Sequence, residues 1–162
     1  MGLSFLTGDE PPKEIITFAY GMEKGLNEFY ATLAEAADDA AVKEMFVNLA
    51  AFEARHQSSL FDVYLTLDPA IGDKDAFESE IVSGVMEGGF TPEEFLEQNR
   101  DSMGTVPDLL NVAMMLEAQA LDLYLRYSQK INDDEGKAVL YGIADDEKAH
   151  LKALGRLMEE RS

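Results

Sequence analysis

The chain has 162 residues, 46% of them hydrophobic, with 32 acidic against 13 basic side chains and a formal charge of −19. That length suits one domain with a substantial core, and the acidic excess excludes a nucleic-acid partner and opposes anionic membrane surfaces. With no cysteine, disulfides, thiolate nucleophiles and Cys-ligated zinc or iron–sulfur sites are excluded as well.

Residues 1–6, Met-Gly-Leu-Ser-Phe-Leu, carry no basic region ahead of a short apolar run, so no signal peptide is expected. No stretch reaches the roughly 20 apolar residues of a membrane span. A soluble cytoplasmic protein is the expectation.

Four long segments have helical apolar periodicity. The first spans about Pro12 to Ala37, with Ile15, Ala19, Met22, Leu26, Phe29 and Leu33 on one stripe and Pro11-Pro12 suited to a helix start. Asp38-Asp39 forms a turn and offers an N-cap. The second spans about Ala40 to Leu67, with Phe46, Leu49, Phe52, Leu60, Val63 and Leu67 on its stripe, and Pro69 ends it.

Residues 68–106 are richer in glycine and their apolar residues are scattered. Phe77, Ile81 and Val85 have the spacing of a short helix that stops at Gly88-Gly89. Thr91-Pro-Glu-Glu94 starts another, carrying Phe95 and Leu96. The segment is too long for a turn and is expected to be a crossover with short helices.

The third long helix is expected over about Pro107 to Ile131, with Leu110, Ala113, Ala120, Leu121 and Tyr127 inward. The fourth runs from about Asp133 to Glu160, with Leu140, Ile143, Leu154 and Leu157 inward. Asn132 stands three residues before Glu135, in the pattern of a capping box. The expected fold is therefore all-α and a single domain over 1–162. Hairpin one covers 12–67, the crossover 68–106 and hairpin two 107–160.

The two hairpins share a pattern. Glu23, Tyr30 and Glu53-Ala-Arg-His56 recur as Glu117, Tyr124 and Glu147-Lys-Ala-His150, displaced by 94 residues at every position. Glu23 lies 15 residues before Asp38 and Glu53 lies 15 after it. An antiparallel hairpin turning there brings both carboxylates to one height, about 22 Å from the turn. The same holds for Glu117 and Glu147 about Asn132. Positions i and i+3 share a helix face, so each Glu-x-x-His pair points one way. The tyrosines lean toward the N-terminus of their own helices, Tyr30 toward Glu23 and Tyr124 toward Glu117. They fit either core packing or a hydrogen-bonding or redox role.

The glutamates lie on apolar stripes, where unpartnered ionised carboxylates are prohibitively costly. Surface salt bridging does not suit such flanks. Four carboxylates and two neutral imidazoles carry −4, which two divalent cations balance.

This constellation resembles the ferritin-like di-iron carboxylate proteins, in which two helices each give a Glu and two others each give Glu-x-x-His. It looks most like a rubrerythrin-type protein, or a bacterioferritin-type ferroxidase site. The likeness covers both hairpins and not residues 68–106. It implies a ferritin-like four-helix bundle of two hairpins joined by a long crossover. It also implies two Fe ions held by Glu23, Glu53, His56, Glu117, Glu147 and His150. Glu53 and Glu147 would bridge the metals, with Glu23 and Glu117 as terminal ligands. Asp146 stands where relatives carry an Asp that orients a ligand histidine, although a solvated surface role is the simpler expectation. Its repeat mate is Phe52, so that support is one-sided.

Two departures stand out. Rubrerythrins carry a further Glu three residues after the third-helix ligand, and Ala120 is there instead. Rubrerythrins often carry a four-cysteine rubredoxin-like module, and this chain has no cysteine, so its electron donor would be a separate protein. The resemblance implies a homodimeric di-iron oxidoreductase using O₂ or H₂O₂, in oxidative-stress defence or iron handling. Ferroxidase, storage or delivery work, or non-catalytic Zn or Mn binding, are the alternatives. The long crossover also permits exchange of hairpins between chains.

Overall fold

A computed structural model describes residues 9–82, 97–98, 101 and 104–161. Among them the regular structure is helical, with no strand. Four long helices dominate: α1 (Pro12–Ala36), α2 (Ala40–Leu67), α4 (Val106–Ser128) and α5 (Asp134–Arg161). A short helix, α3 (Lys74–Ala76), continues into a π-helical stretch, Phe77–Val82. No helix among the described residues is long and apolar enough to cross a membrane.

Local chemistry sets the ends. Pro12 occupies the first turn of α1, where a missing N–H costs nothing. The Asp39 carboxylate caps α2 by accepting from the Ala41 and Val42 amides at 2.9 and 3.3 Å. Gly72, at φ +83°, makes the left-handed turn before α3. The Thr105 hydroxyl caps α4 through the Asp108 amide. The cap of α5 is Asp133, which accepts from the Gly136 amide at 2.8 Å. The expected Asn132–Glu135 box is therefore displaced by one residue. Asp133 and Gly136 have the same three-residue spacing and use it instead.

α1 pairs with α2, and α4 with α5, as antiparallel hairpins. In the first, Asn27 Nδ2 donates to the Ala50 carbonyl at 2.7 Å and Tyr30 stacks on Phe46. Two apolar clusters lie along the four long helices. One contains Ile15, Ile16 and Tyr20 of α1, Leu60 and Tyr64 of α2, Leu123 and Tyr127 of α4, and Leu140 and Ile143 of α5. The other contains Leu26, Phe29 and Leu33 of α1, Phe46 and Leu49 of α2, Leu110 and Ala113 of α4, and Leu154 and Leu157 of α5.

Between the clusters, on every one of the four helices, stands a buried glutamate. The order of the clusters along each helix gives the directions. α1 and α5 run one way, α2 and α4 the other. Because α2 and α4 are parallel, the connection between them must recover about 42 Å, the length of a 28-residue helix. That accounts for a long crossover.

The described start of the crossover packs on hairpin one. Phe77 is fully buried against Tyr20, Phe61 and Tyr64. Val85, Gly88-Gly89 and the Thr91–Leu96 helix expected from sequence lie outside the described residues.

Asp39 also binds Arg161 at the end of α5, with Nε 2.6 Å from Oδ2. That bond, with the amides it caps, lowers its pKa from 3.8 to about 2. A depressed carboxylate stabilises the fold above the unfolded pKa and loses that contribution as pH falls through the folded one. Asp39→Asn keeps a capping oxygen and loses the charge, whereas Asp39→Ala loses both. Thermal melts near pH 7 should place wild type above Asp39→Asn and Asp39→Asn above Asp39→Ala. The gap between wild type and Asp39→Asn should close as pH falls toward 2.

Candidate metal centre

The layer between the two cores gathers all six Glu and His residues of the repeat, from one chain. Glu23, Glu53, Glu117 and Glu147 are 0% exposed, His56 3% and His150 7%. They form two overlapping groups, each with ligand atoms within 4.8 Å of one another. Glu23, Glu53, His56 and Glu147 make one, and Glu53, Glu117, Glu147 and His150 the other. Glu53 and Glu147 belong to both. Hairpin exchange between chains is not needed to complete either group.

The imidazoles face inward through Nδ1. His56 Nδ1 lies 3.4 Å from Glu23 Oε2 and Glu53 Oε2 and 3.3 Å from Glu147 Oε1. His150 Nδ1 lies 3.6 Å from Glu117 Oε1 and 3.9 Å from Glu147 Oε1. Nine polar atoms of the six side chains are buried without a hydrogen-bond partner. They are Glu23 Oε2, Glu117 Oε2, both oxygens of Glu53 and of Glu147, Nδ1 of both histidines, and His150 Nε2.

Orphaned buried polar atoms are rare because each costs its desolvation without return. Nine in one layer, on acids and imidazoles, match the donor set of a cation site. The ion-paired lysines and arginines are engaged elsewhere: Lys13 with Asp68, Lys24 with Glu78, Arg126 with Asp122, Lys148 with Asp145 and Arg161 with Asp39. The cluster can hold metal, and its charge calls for it.

Both tyrosines touch the cluster, but not as their helix positions suggested. The Tyr30 hydroxyl donates to Glu117 Oε1 at 3.0 Å, and the Tyr124 hydroxyl donates to Glu23 Oε1 at 2.5 Å. Each tyrosine thus bonds the glutamate of the other hairpin. The seven residues from Glu23 to Tyr30 span about 10.5 Å of helix rise, beyond what leaning side chains recover. Antiparallel α1 and α4 place the opposite glutamate at the right height. Burial first, and the adjacent carboxylates next, push both phenols well above their ordinary pKa of 10. They therefore stay protonated, as donors, and each leaves the second oxygen of its carboxylate, Glu23 Oε2 or Glu117 Oε2, buried without a hydrogen-bond partner.

Asp146 is not simply a solvated surface residue. Its carboxylate is 44% exposed, yet Oδ2 lies 3.0 Å from His56 Nε2 across the α2–α5 contact. At the repeat-related place, Phe52 sets its ring edge-on to His150 with centroids 4.7 Å apart. The Arg55 guanidinium lies over the Phe52 ring, 4.1 Å from its centroid. Sequence reading did not find Glu78, which accepts from the buried Tyr20 hydroxyl and pairs with Lys24. Its segment has no counterpart in the repeat, so no spacing pointed to it.

No protein-family model matches the chain, and no curated protein matches it. Among solved structures it is similar to a hypothetical protein from Pyrococcus furiosus. The two share 27% identity and a TM-score of 0.70, over 94% of this chain and 91% of that one. The helical fold therefore has an experimental counterpart over nearly its whole length.

Burial raises the Glu23 carboxyl above its ordinary 4.5, with His56 and Tyr124 pulling it back. His56 is raised above 6.5, because Glu23 and Asp146 outweigh the burial that pulls it down. Both shifts mean that the metal-free fold holds these protons more tightly than the unfolded chain. Each stabilisation is full below the unfolded pKa and is lost as pH rises through the folded one. The melting temperature of metal-free protein should fall as pH rises past the ordinary values of Glu23 and then of His56, and a divalent metal should reverse the fall. Glu53→Gln, which removes one buried charge, should stabilise the metal-free protein by roughly 1–3 kcal/mol in denaturant titrations while weakening metal binding.

Proposed function

We propose that this is a ferritin-like four-helix bundle whose acidic layer holds two iron ions, and that it works as a di-iron oxidoreductase with O₂ or H₂O₂ as oxidant. The observation that carries the reading is the set of nine orphaned buried atoms on six Glu and His side chains. Glu53 and Glu147, present in both groups, would serve both metal positions. Glu23 and His56 complete one metal position, and Glu117 and His150 the other. Two divalent ions cancel the −4 of the carboxylates. Mn(II) and Zn(II) suit the same donors, so metal identity rests on the likeness to rubrerythrin-type proteins.

Bound iron would supply two electrons, one from each ion. The chain supplies the surroundings. The two apolar clusters close the layer above and below against water, which strengthens every electrostatic interaction inside it. Tyr30 and Tyr124 hold protons at their phenol oxygens and fix Oε1 of Glu117 and of Glu23. Asp146 fixes the ring orientation of His56. With no cysteine in the chain, electrons to restore the ferrous state come from a separate donor protein.

Ala120 favours a second reading. It is fully buried in the core, one turn past Glu117, where rubrerythrins carry a further carboxylate. A symmetric six-ligand set suits a ferroxidase that takes up iron at least as well as a peroxidase.

Anaerobic titration with Fe(II) should end at two ions per chain, and O₂ or H₂O₂ should then produce ferric absorption. Repeated turnover with a reductant supports the oxidoreductase, and continued uptake of iron into a mineral supports the ferroxidase. Tightly held zinc with no oxidation chemistry overturns both. Glu53→Ala removes a ligand common to both positions and should reduce stoichiometry to one ion or none. An unchanged value of two would remove the bridging role.

A further inference from the structure

The repeat makes the two halves of the cluster alike in their ligands, yet the residues behind the two histidines differ. Behind His56, Asp146 accepts at Nε2, 3.0 Å away. Behind His150, the related position is Phe52, whose ring lies against the imidazole and carries Arg55 over its face. Both nitrogens of His150 are buried without a partner, whereas His56 lacks one only at Nδ1.

A histidine binds metal best when its other ring nitrogen donates to a carboxylate. That bond fixes the tautomer with Nδ1 free, holds the ring plane and raises the basicity of the ligating nitrogen. His56 has this support. His150 has an apolar neighbour that offers no acceptor.

Resting on the two-metal reading above, we infer that the two positions are unequal. The Glu23–Glu53–His56–Glu147 position binds a divalent cation first and more tightly, and the Glu53–Glu117–Glu147–His150 position fills second and exchanges. Asp146 and Phe52 are the positioning residues that set the order. Supporting bonds of this kind change metal affinity by about 10- to 100-fold, so the two steps should separate by at least tenfold. The second position is then the one from which a metal is released or exchanged, while the first keeps the cluster folded.

The chain has only two histidines, so ¹⁵N-histidine NMR reads the halves separately. Metal-free full-length protein is titrated with Zn(II), a redox-silent probe, with calorimetry in parallel. The His56 ring nitrogens should shift during the first equivalent and those of His150 during the second. Asp146→Asn, at a half-exposed site, should weaken the first step about tenfold and leave the second little changed. Phe52→Asp, and Phe52→Asn as a variant without added charge, should strengthen the second step and bring the two together. Histidines that shift in parallel, His150 shifting first, or an Asp146→Asn variant that weakens both steps equally would overturn the inference and leave the two-metal reading standing. A wild-type protein that binds no Zn(II), or only one ion in all, would overturn both.

Discussion

Four carboxylates buried from water in one layer are the constraint on which the rest of this molecule depends. Each ionised group taken into the interior costs several kcal/mol even after relaxation, and neighbouring like charges add to it. The apolar residues on either side of the layer could have formed one continuous core, and such a core would be the more stable fold. Instead the chain divides its core in two, with an acidic residue on each of four helices between the halves. A local violation of packing logic repeated on every helix marks function rather than accident. Cations that bind the folded state alone would make the layer an asset, stabilising it by mass action.

Much of this was legible in the chain because the site is written in helical geometry. A glutamate on an apolar stripe is conspicuous, and matched distances from a turn bring the two of each hairpin to one height, so that face-to-face packing of the hairpins makes a layer of four. The residues of each Glu-x-x-His pair meet because i and i+3 always do. The helix limits also followed from local chemistry, with Pro12, Asp39 and Pro69 acting where they stand. The cap of α5 slipped by one residue because Asn132 and Asp133 both have a partner three positions on, and sequence does not rank them.

What was not legible depends on how one hairpin docks on the other. Spacing within a hairpin fixes its own register but says nothing about the height of Tyr30 relative to Glu117. The crossed hydrogen bonds of Tyr30 and Tyr124 are set by the antiparallel passage of α1 along α4, a relation carried by no local pattern. Asp146 was pointed to by the family resemblance and not by its spacing, for the same reason. Its side chain reaches a histidine on the other hairpin, so its position on its own helix, next to solvent, was a poor guide to its role. These bonds between hairpins also mean that the cluster and the docking of the hairpins are one structure: each tyrosine fastens the carboxylate of the opposite half.

The repeat is most informative where it fails. Tyr20 is related by the 94-residue displacement to Met114. A methionine there needs only apolar neighbours, and Met114 packs against the cluster of Leu110 and Leu154. A fully buried tyrosine needs an acceptor for its hydroxyl as well. Glu78 provides it from the π-helical stretch after α3, where Phe77 packs on the Tyr20 ring and Lys24 pairs with the same carboxylate. The hydrogen bond from Tyr20, with Lys24 assisting, holds the Glu78 carboxyl below its ordinary pKa, so the acceptor is ionised at neutral pH. The described start of the crossover is thereby tied to α1 one turn before Glu23. The segment leaves α2 at the Tyr20 end of the bundle, and Tyr20, unlike a methionine, gives it a hydrogen-bonding anchor on α1.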